Sequence, residues 1–270
     1  MPNVVIYHKN CFDGFGAAWV ARRVLDEADT TFVAATYGDA PPAVTESNVY
    51  IVDFSYPKEV MLALHAANKS LKVLDHHKTA QENCEGLDFC EFDLSRSGAG
   101  MAWDYFEPHI PRPPLINYIE DRDLWKFSLP HCKEVHAYIA SWPKSFPVWD
   151  TLETELYVAF DKVVTAGASI LRYHQQKIDE IVVHAALQQV GDYLVPVVNC
   201  NYQFASDVGN LLTEHYADSP FAATYCYLAD GTKQYSLRGR NSDAFDVSAV
   251  AAQFGGGGHK KAAGFKVPAN

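Results

Sequence analysis

Histidine and aspartate recur at short spacings in four places along the sequence. His8 and Asp13 lie in YHKNCFDG at 7–14, and Asp53 lies in YIVDFS at 50–55. Asp75, His76 and His77 lie in KVLDHH at 72–77, and Asp121 and Asp123 lie in YIEDRDLW at 118–125. Carboxylates and imidazoles without sets of thiolates suit a hard or borderline cation, Mn²⁺ or Mg²⁺, over a structural zinc. His8, Asp13, Asp53 and His76 are donors enough for two ions. Taken singly, each has a plainer reading, since an aspartate at a strand end is often a turn or cap residue. Asp121 and Asp123 flank Arg122, so a solvated helix end with a local ion pair is one reading. The neighbouring Tyr118 and Trp125 favour partial burial instead, and a buried carboxylate needs a partner, for which a metal would serve. Cys11 is open between nucleophile, metal ligand, half of a disulfide and a small residue filling a turn.

The elements around these residues would bring them together. Val4–Tyr7, TTFVAATY, NVYIVDFS, SLKVLDHH and LDFCEF are β-branched or apolar runs that read as strands. Helical spacing follows from Asp13, PKEVMLALHAAN starts with a proline suited to a helix start, and SGAGMAWDYF reads as a further helix. Alternation of strand and helix implies a doubly wound, mainly parallel sheet covered on both faces. Ligands of such sheets bind beyond the carboxyl ends of the strands, which is where His8, Asp53 and the Asp75–His77 run would stand. SWPKSFPVWD reads as a structured connection, and about 151–190 as one or two helices broken or bent near Gly167. Strands YLVPVVNC, FAATYCYL and QYSLRGR and helices FASDVGNLLTEHYA and DVSAVAAQF then form a smaller α/β domain that ends in GGGGHKKAAGF. The expected domains are 1–150, a helical linker at 151–190, and 191–270.

Bulk properties narrow the chemistry. The chain has 270 residues, a hydrophobic content of 48% and a formal net charge of −11. Tight binding of long nucleic acids draws on many Lys and Arg contacts to phosphate, so a small ligand at a focused site is expected instead. The apolar runs are too short to cross a membrane. The start, MPNVVIYH, has neither a basic leader nor a small-residue cleavage site. The cysteines are scattered without a CxxC pair, which suits reduced thiols and a cytoplasmic location.

In this order the motifs resemble those of the DHH phosphoesterase superfamily. LDHH at 74–77 is similar to the Asp-His-His signature, HKNCFDG at 8–14 to the first motif, VDF at 52–54 to the second and EDRDLW at 120–125 to the fourth. SLRGR at 236–240 and FGGGGHKKAAGF at 254–265 resemble the DHH-associated C-terminal domain. The resemblance spans nearly the whole chain. It implies hydrolysis of a phosphodiester or phosphoanhydride bond with two divalent ions, commonly Mn²⁺, with Mg²⁺ as the alternative. It assigns His8 and Asp53 to the first ion, and Asp13, Asp53, His76 and Asp121 to the second, with Asp53 bridging. Asp75 would orient the histidines and His77 would face the phosphate or steady the pocket. Arg238, Gly256, Gly257, Gly258 and His259 would bind the substrate's phosphate and sugar. The family usually carries an acidic residue where this chain has Cys11, which leaves Cys11 as either a soft ligand of the first ion or a small neutral residue.

The function expected is Mn²⁺-dependent hydrolysis of short oligoribonucleotides or dinucleotides, including linear products of cyclic dinucleotides, to 5′-mononucleotides. Direct cleavage of a cyclic nucleotide or cyclic dinucleotide, removal of the 3′-phosphate of a phosphoadenosine, and a catalytically silent nucleotide sensor are the alternatives. A homodimer is compatible with the sequence.

Overall fold

The computed structural model describes residues 2–9, 11–240 and 245–268. The chain divides into two compact units, Met1–Leu171 and Arg172–Asn270, and the division falls inside one long helix.

The first unit is built on five strands: β1 (Asn3–His8), β2 (Thr30–Ala35), β3 (Asn48–Val52), β4 (Ser70–Asp75) and β5 (Cys90–Phe92). They lie in the order β2-β1-β3-β4-β5, and every neighbouring pair is parallel. The winding direction reverses between β1 and β3, and a crevice opens at such a switch beyond the carboxyl ends of the strands. Side chains alternate between the faces. Val4, Ile6, Ile51 and Val73 pack with Met61 and Leu64 of α2 (Lys58–Ala67). Val5, Val52 and Leu74 face the other way, onto α1 (Phe12–Val24) and α4 (Gly98–Phe106). Such burial on both faces makes parallel strands read as near-continuous apolar runs. β3 and β4 end at Val52 and Asp75, so Asp53 and His76 occupy the turns that leave the sheet.

Beyond the short α3 (Lys78–Asn83), the remaining helices of this unit are α5 (Pro114–Asp123), α6 (Cys132–Ala140), α7 (Phe146–Val158) and the start of α8 (Phe160–Val182). The sequence reading has no counterpart to α6, and α7 begins within the stretch expected to be a connection. The expected break near Gly167 is absent: α8 runs through it, and the helices part at Ala159. Gly167 serves close packing, because a Cβ there would lie 2.0 Å from the Glu134 carbonyl oxygen of α6.

The second unit holds a six-stranded sheet in the order β10-β11-β9-β8-β7-β6. Its strands are β6 (Ala186–Val190), β7 (Tyr193–Asn199), β8 (Phe221–Tyr227), β9 (Lys233–Gly239), β10 (Gly257–His259) and β11 (Ala262–Val267). Among the described residues of this sheet, only β7 and β8 pair in parallel. α9 (Ala205–His215) packs Val208 and Leu212 against Val198 and Ala222 on one face. α10 (Val247–Ala252) packs Val247 and Val250 against Val197 and Leu237 on the other. β6 falls where the sequence suggests helix, and the glycine run becomes strand β10 and its approach.

Helix propensity alone would make Gly167→Ala stabilising by about 1 kcal/mol. The close approach of α6 reverses that sign. The variant is expected to lose about 1–3 kcal/mol, the usual cost of overpacking, read as a lower denaturant midpoint at unchanged slope.

Candidate metal centre

Four parts of the first unit deliver donors to the crevice beyond β1, β3 and β4. His8 closes β1, and Cys11 caps α1, its Sγ accepting from the Gly14 amide at 3.0 Å. Asp13 lies in the first turn of α1 and is 2% exposed. Its oxygens accept from the amides of Gly98 (2.6 Å) and Ala99 (2.9 Å), the first residues of α4. A helix start offers unpaired N–H groups and the positive end of the dipole, and here the protein's own carboxylate takes them. Ser97 caps that helix by accepting from Gly100 N, and its own amide is held by Glu120 Oε2 at 3.0 Å. Arg112 in turn holds Glu120 Oε1 at 2.9 Å and also pairs with Asp104.

Asp53 sits at the centre, 1% exposed, with φ at +55°. Left-handed backbone is uncommon outside glycine, though Asp tolerates it better than most residues, and it marks sites where surroundings impose a conformation. The Asp53 amide donates to Leu74 O at 2.8 Å. Oδ2 lies 3.5 Å from His8 Nδ1 and accepts from the Cys11 thiol at 3.1 Å, while Oδ1 lies 3.1 Å from His76 Nε2. Gly98 backs this turn so closely that a Cβ on it would stand 2.4 Å from the Asp53 Cβ.

His76 Nε2 also lies 3.4 Å from Asp13 Oδ2 and 3.7 Å from Asp123 Oδ2. The donors thus fall into two groups, His8–Cys11–Asp53 and Asp13–His76–Asp123, whose ligand atoms all lie within 4.8 Å inside each group. Asp53 touches both. Asp75, fully buried, works from behind. Its Oδ1 accepts from the amides of His76 (2.7 Å) and His77 (3.2 Å) and meets His77 Nδ1 at 2.7 Å, while Oδ2 accepts from the Ser55 hydroxyl at 2.6 Å. The bond to Nδ1 fixes the orientation of the His77 ring, and the amide bonds hold the main chain that carries both histidines.

The electrostatics suit a cation. Burial, then the charges of Asp53 and Asp123, push the Asp13 carboxyl well above the usual carboxylate range. Burial works against ionisation of Asp53 too, but hydrogen bonds from His76 and His8 and their charge hold it well below that range. Burial would lower His76, yet its bond to Asp53 and the charges of Asp123 and Asp13 raise it well above an ordinary imidazole. His76 Nε2 thus stands among the carboxylates of Asp13, Asp53 and Asp123, and carboxylates with an imidazole are donors that suit a divalent ion. Burial, then Asp53 and Asp13, push the Cys11 thiol well up, so it is a neutral hydrogen-bond donor to Asp53, which favours the small-neutral-residue reading over a thiolate.

Of the residues expected from sequence, the structure gathers His8, Asp13, Asp53 and His76, with Asp75 and His77 behind and beside them. Asp121 is directed elsewhere. Its carboxylate accepts from Ser128 N (2.9 Å), Ser128 Oγ (2.5 Å) and Leu129 N (3.0 Å), which ties down the loop after α5. Asp123 stands in the position expected of Asp121. Two residues apart on a helix point to nearly opposite sides, and Asp121 is the one that shares the buried face with Tyr118. In the second unit, Arg238 on β9 donates to Ser206 Oγ at 2.6 Å, Gly257, Gly258 and His259 form β10, and Gly256 precedes it. The glycine run is strand-packed: a Cβ on Gly258 would lie 2.6 Å from Ala262 O.

Asp123→Asn should weaken Mn²⁺ binding by at least about tenfold, measured by calorimetric titration, whereas Asp121→Asn should change it by less than a few-fold. Equal losses in both would return Asp121 to the ligand set.

No protein-family model matches the sequence. The chain is 34% identical to the uncharacterized protein R106 of Acanthamoeba polyphaga mimivirus, over 97% of this chain and 66% of that protein. It is 27% identical to the oligoribonuclease NrnB of Bacillus subtilis, over 76% of this chain and 54% of that protein. It therefore spans just under two thirds of the first relative's length and about half of the second's. Among solved structures, the DHH domain of a member of the s1p family of ribosomal proteins superposes with a TM-score of 0.58 at 13% identity, covering 97% of this chain and 82% of that one. The pGpG-specific phosphodiesterase PggH of Vibrio cholerae superposes with a TM-score of 0.52 at 13% identity, covering 99% and 94%. The chain thus shares the fold of a DHH domain, and its motifs, in their order, are similar to those of the DHH superfamily.

Proposed function

We propose that the chain is a divalent-cation-dependent phosphodiesterase that hydrolyses short oligoribonucleotides or dinucleotides, including linear products of cyclic dinucleotides, to 5′-mononucleotides. Mn²⁺ is the expected ion. The observation that carries this reading is the position of Asp53, one carboxylate in contact with both donor groups. The relation to an oligoribonuclease and the shared fold with a pGpG-specific phosphodiesterase support the substrate class.

Two bound ions would supply an activated water for in-line attack on phosphorus and neutralise charge on the attacking and leaving oxygens. The residues supply the rest. His8, Asp13, Asp53, His76 and Asp123 would hold the ions, and the start of α4 keeps Asp13 aimed inward. Asp75, steadied by Ser55, fixes the His77 ring beside His76 so that it steadies the phosphate. On this reading residues 1–150 carry the chemistry, residues 191–270 carry nucleotide contacts through Arg238, Gly256, Gly257, Gly258 and His259, and 151–190 link them in the chain.

The test is turnover of a panel of diribonucleotides, cyclic dinucleotides and 3′-phosphoadenosine phosphate with added Mn²⁺. Diribonucleotides should be cleaved fastest, and Asp53→Ala should lower kcat by at least about a thousandfold. Cys11→Ala should keep substantial activity while Asp13→Ala loses it. Full activity in Asp53→Ala would sink the two-ion assignment, and tight binding without any turnover would make the chain a nucleotide sensor.

A further inference from the structure

The segment immediately after Asp123 combines backbone strain, aromatic rings and cations. Among the described residues, five non-glycine residues have left-handed φ, and three lie here: Trp125 at 56°, Phe127 at 49° and His131 at 58°. For a bulky aromatic residue such a φ is an outlier, and it persists only where the surroundings over-determine it, often at ligand clamps. Asp121 does that here. Its main-chain oxygen accepts from the amides of Lys126 (2.9 Å) and Phe127 (3.3 Å), and its carboxylate holds Ser128 and Leu129. The rings of Trp125 and Phe127 meet edge to face at 4.9 Å. The Arg122 guanidinium lies 4.1 Å from the centre of the Trp125 ring and 5.4 Å from that of Phe127. Lys133 Nζ approaches Phe127 at 5.2 Å, and Lys126 is exposed beside them. Two cations, Arg122 and Lys133, thus face these rings, while Asp121 and Asp123 stand on either side of Arg122 in the sequence. Arg122 directly precedes Asp123, whose carboxylate is 3.7 Å from His76 Nε2.

We propose that Arg122, Trp125 and Phe127 form a nucleotide-recognition platform at the edge of the metal centre. The Trp125 ring, half-buried and fixed by the strained turn, stacks on a nucleobase. Arg122, oriented by the two rings, attracts the phosphate of the same nucleotide. A fixed indole stacks on any base face, and a guanidinium held over aromatic rings keeps its charge while its N–H edge stays oriented. Inorganic phosphate would use the cation alone, so the ring is what makes the platform selective for a nucleotide. The proposal rests on the phosphodiesterase reading for its substrate, but it concerns binding and is measured without turnover.

The experiment is calorimetric binding of adenosine 5′-monophosphate, ribose 5-phosphate and inorganic phosphate to the full chain in a chelator. Adenosine 5′-monophosphate and ribose 5-phosphate differ only by the base. The wild type should prefer the nucleotide by about 5- to 100-fold. Trp125→Gly should erase that preference and weaken ribose 5-phosphate binding by no more than about 3-fold, because Phe127 still faces the Arg122 guanidinium. Glycine adopts the left-handed turn without strain, which offsets part of the packing lost with the indole, and a cooperative thermal transition shows that this variant is folded. Trp125→Leu, which keeps bulk without an aromatic face, should behave likewise, and Trp125→Phe should restore part of the preference. Arg122→Ala should weaken adenosine 5′-monophosphate and ribose 5-phosphate alike. A wild type with no preference for the base, or a preference that survives in both Trp125→Gly and Trp125→Leu, overturns the proposal whether or not the protein hydrolyses a phosphodiester.

Discussion

Repulsion among Asp13, Asp53 and Asp123 is the constraint on which the first unit turns. Two unit charges about 4 Å apart near a protein surface repel by about 4 kcal/mol, and these three carboxylates converge on one imidazole nitrogen. Nothing in a folded chain gathers like charges unless something opposes their separation. The oppositions are visible: two amides at the start of α4 on Asp13, and two histidines and a thiol on Asp53. Behind them lies a chain of supports, from Glu120 to the Ser97 amide and from Ser55 to Asp75 to the two histidines. The arrangement is charged for a cation in advance of meeting one.

The sheet makes that possible. In the order β2-β1-β3-β4-β5 the carboxyl ends of β1, β3 and β4 stand side by side. Residues 8, 53 and 76, far apart in sequence, therefore leave the sheet at adjacent points. α1 and α4 complete the crevice on one side, and their close approach is what lets the Gly98 and Ala99 amides reach Asp13. The small side chains at the start of α4 are part of the site for that reason.

Much of this was legible in the sequence. Short β-branched runs ending in His or Asp give strands, and their alternation with helices gives a parallel sheet and so a common edge for the polar residues. What was not legible depends on direction and close contact. Spacing names Asp121 and Asp123 together, but only the helix phase and the local amides tell which one turns to the crevice. The glycine at 167 reads as a break because a sequence cannot show that α6 passes within contact of it. α6 is short and its apolar residues are interleaved with Lys, Glu and His, so no strong periodic signal marks it. β6, ALQQV, has two glutamines at its centre and is mostly exposed, and continues a helical composition without a turn signal before it.

The donors come from positions 8, 13, 53, 76 and 123, so no unfolded stretch of the chain can assemble them. An ion that binds here binds the native state alone, and mass action then makes folding and metal concentration one equilibrium. At free metal a hundredfold above the dissociation constant, the native state gains about 2.7 kcal/mol. The turn at Asp53 thus acts as a gauge of the surroundings: where divalent cations are scarce, the same crowding that readies the site for chemistry draws on the stability of the unit that holds it.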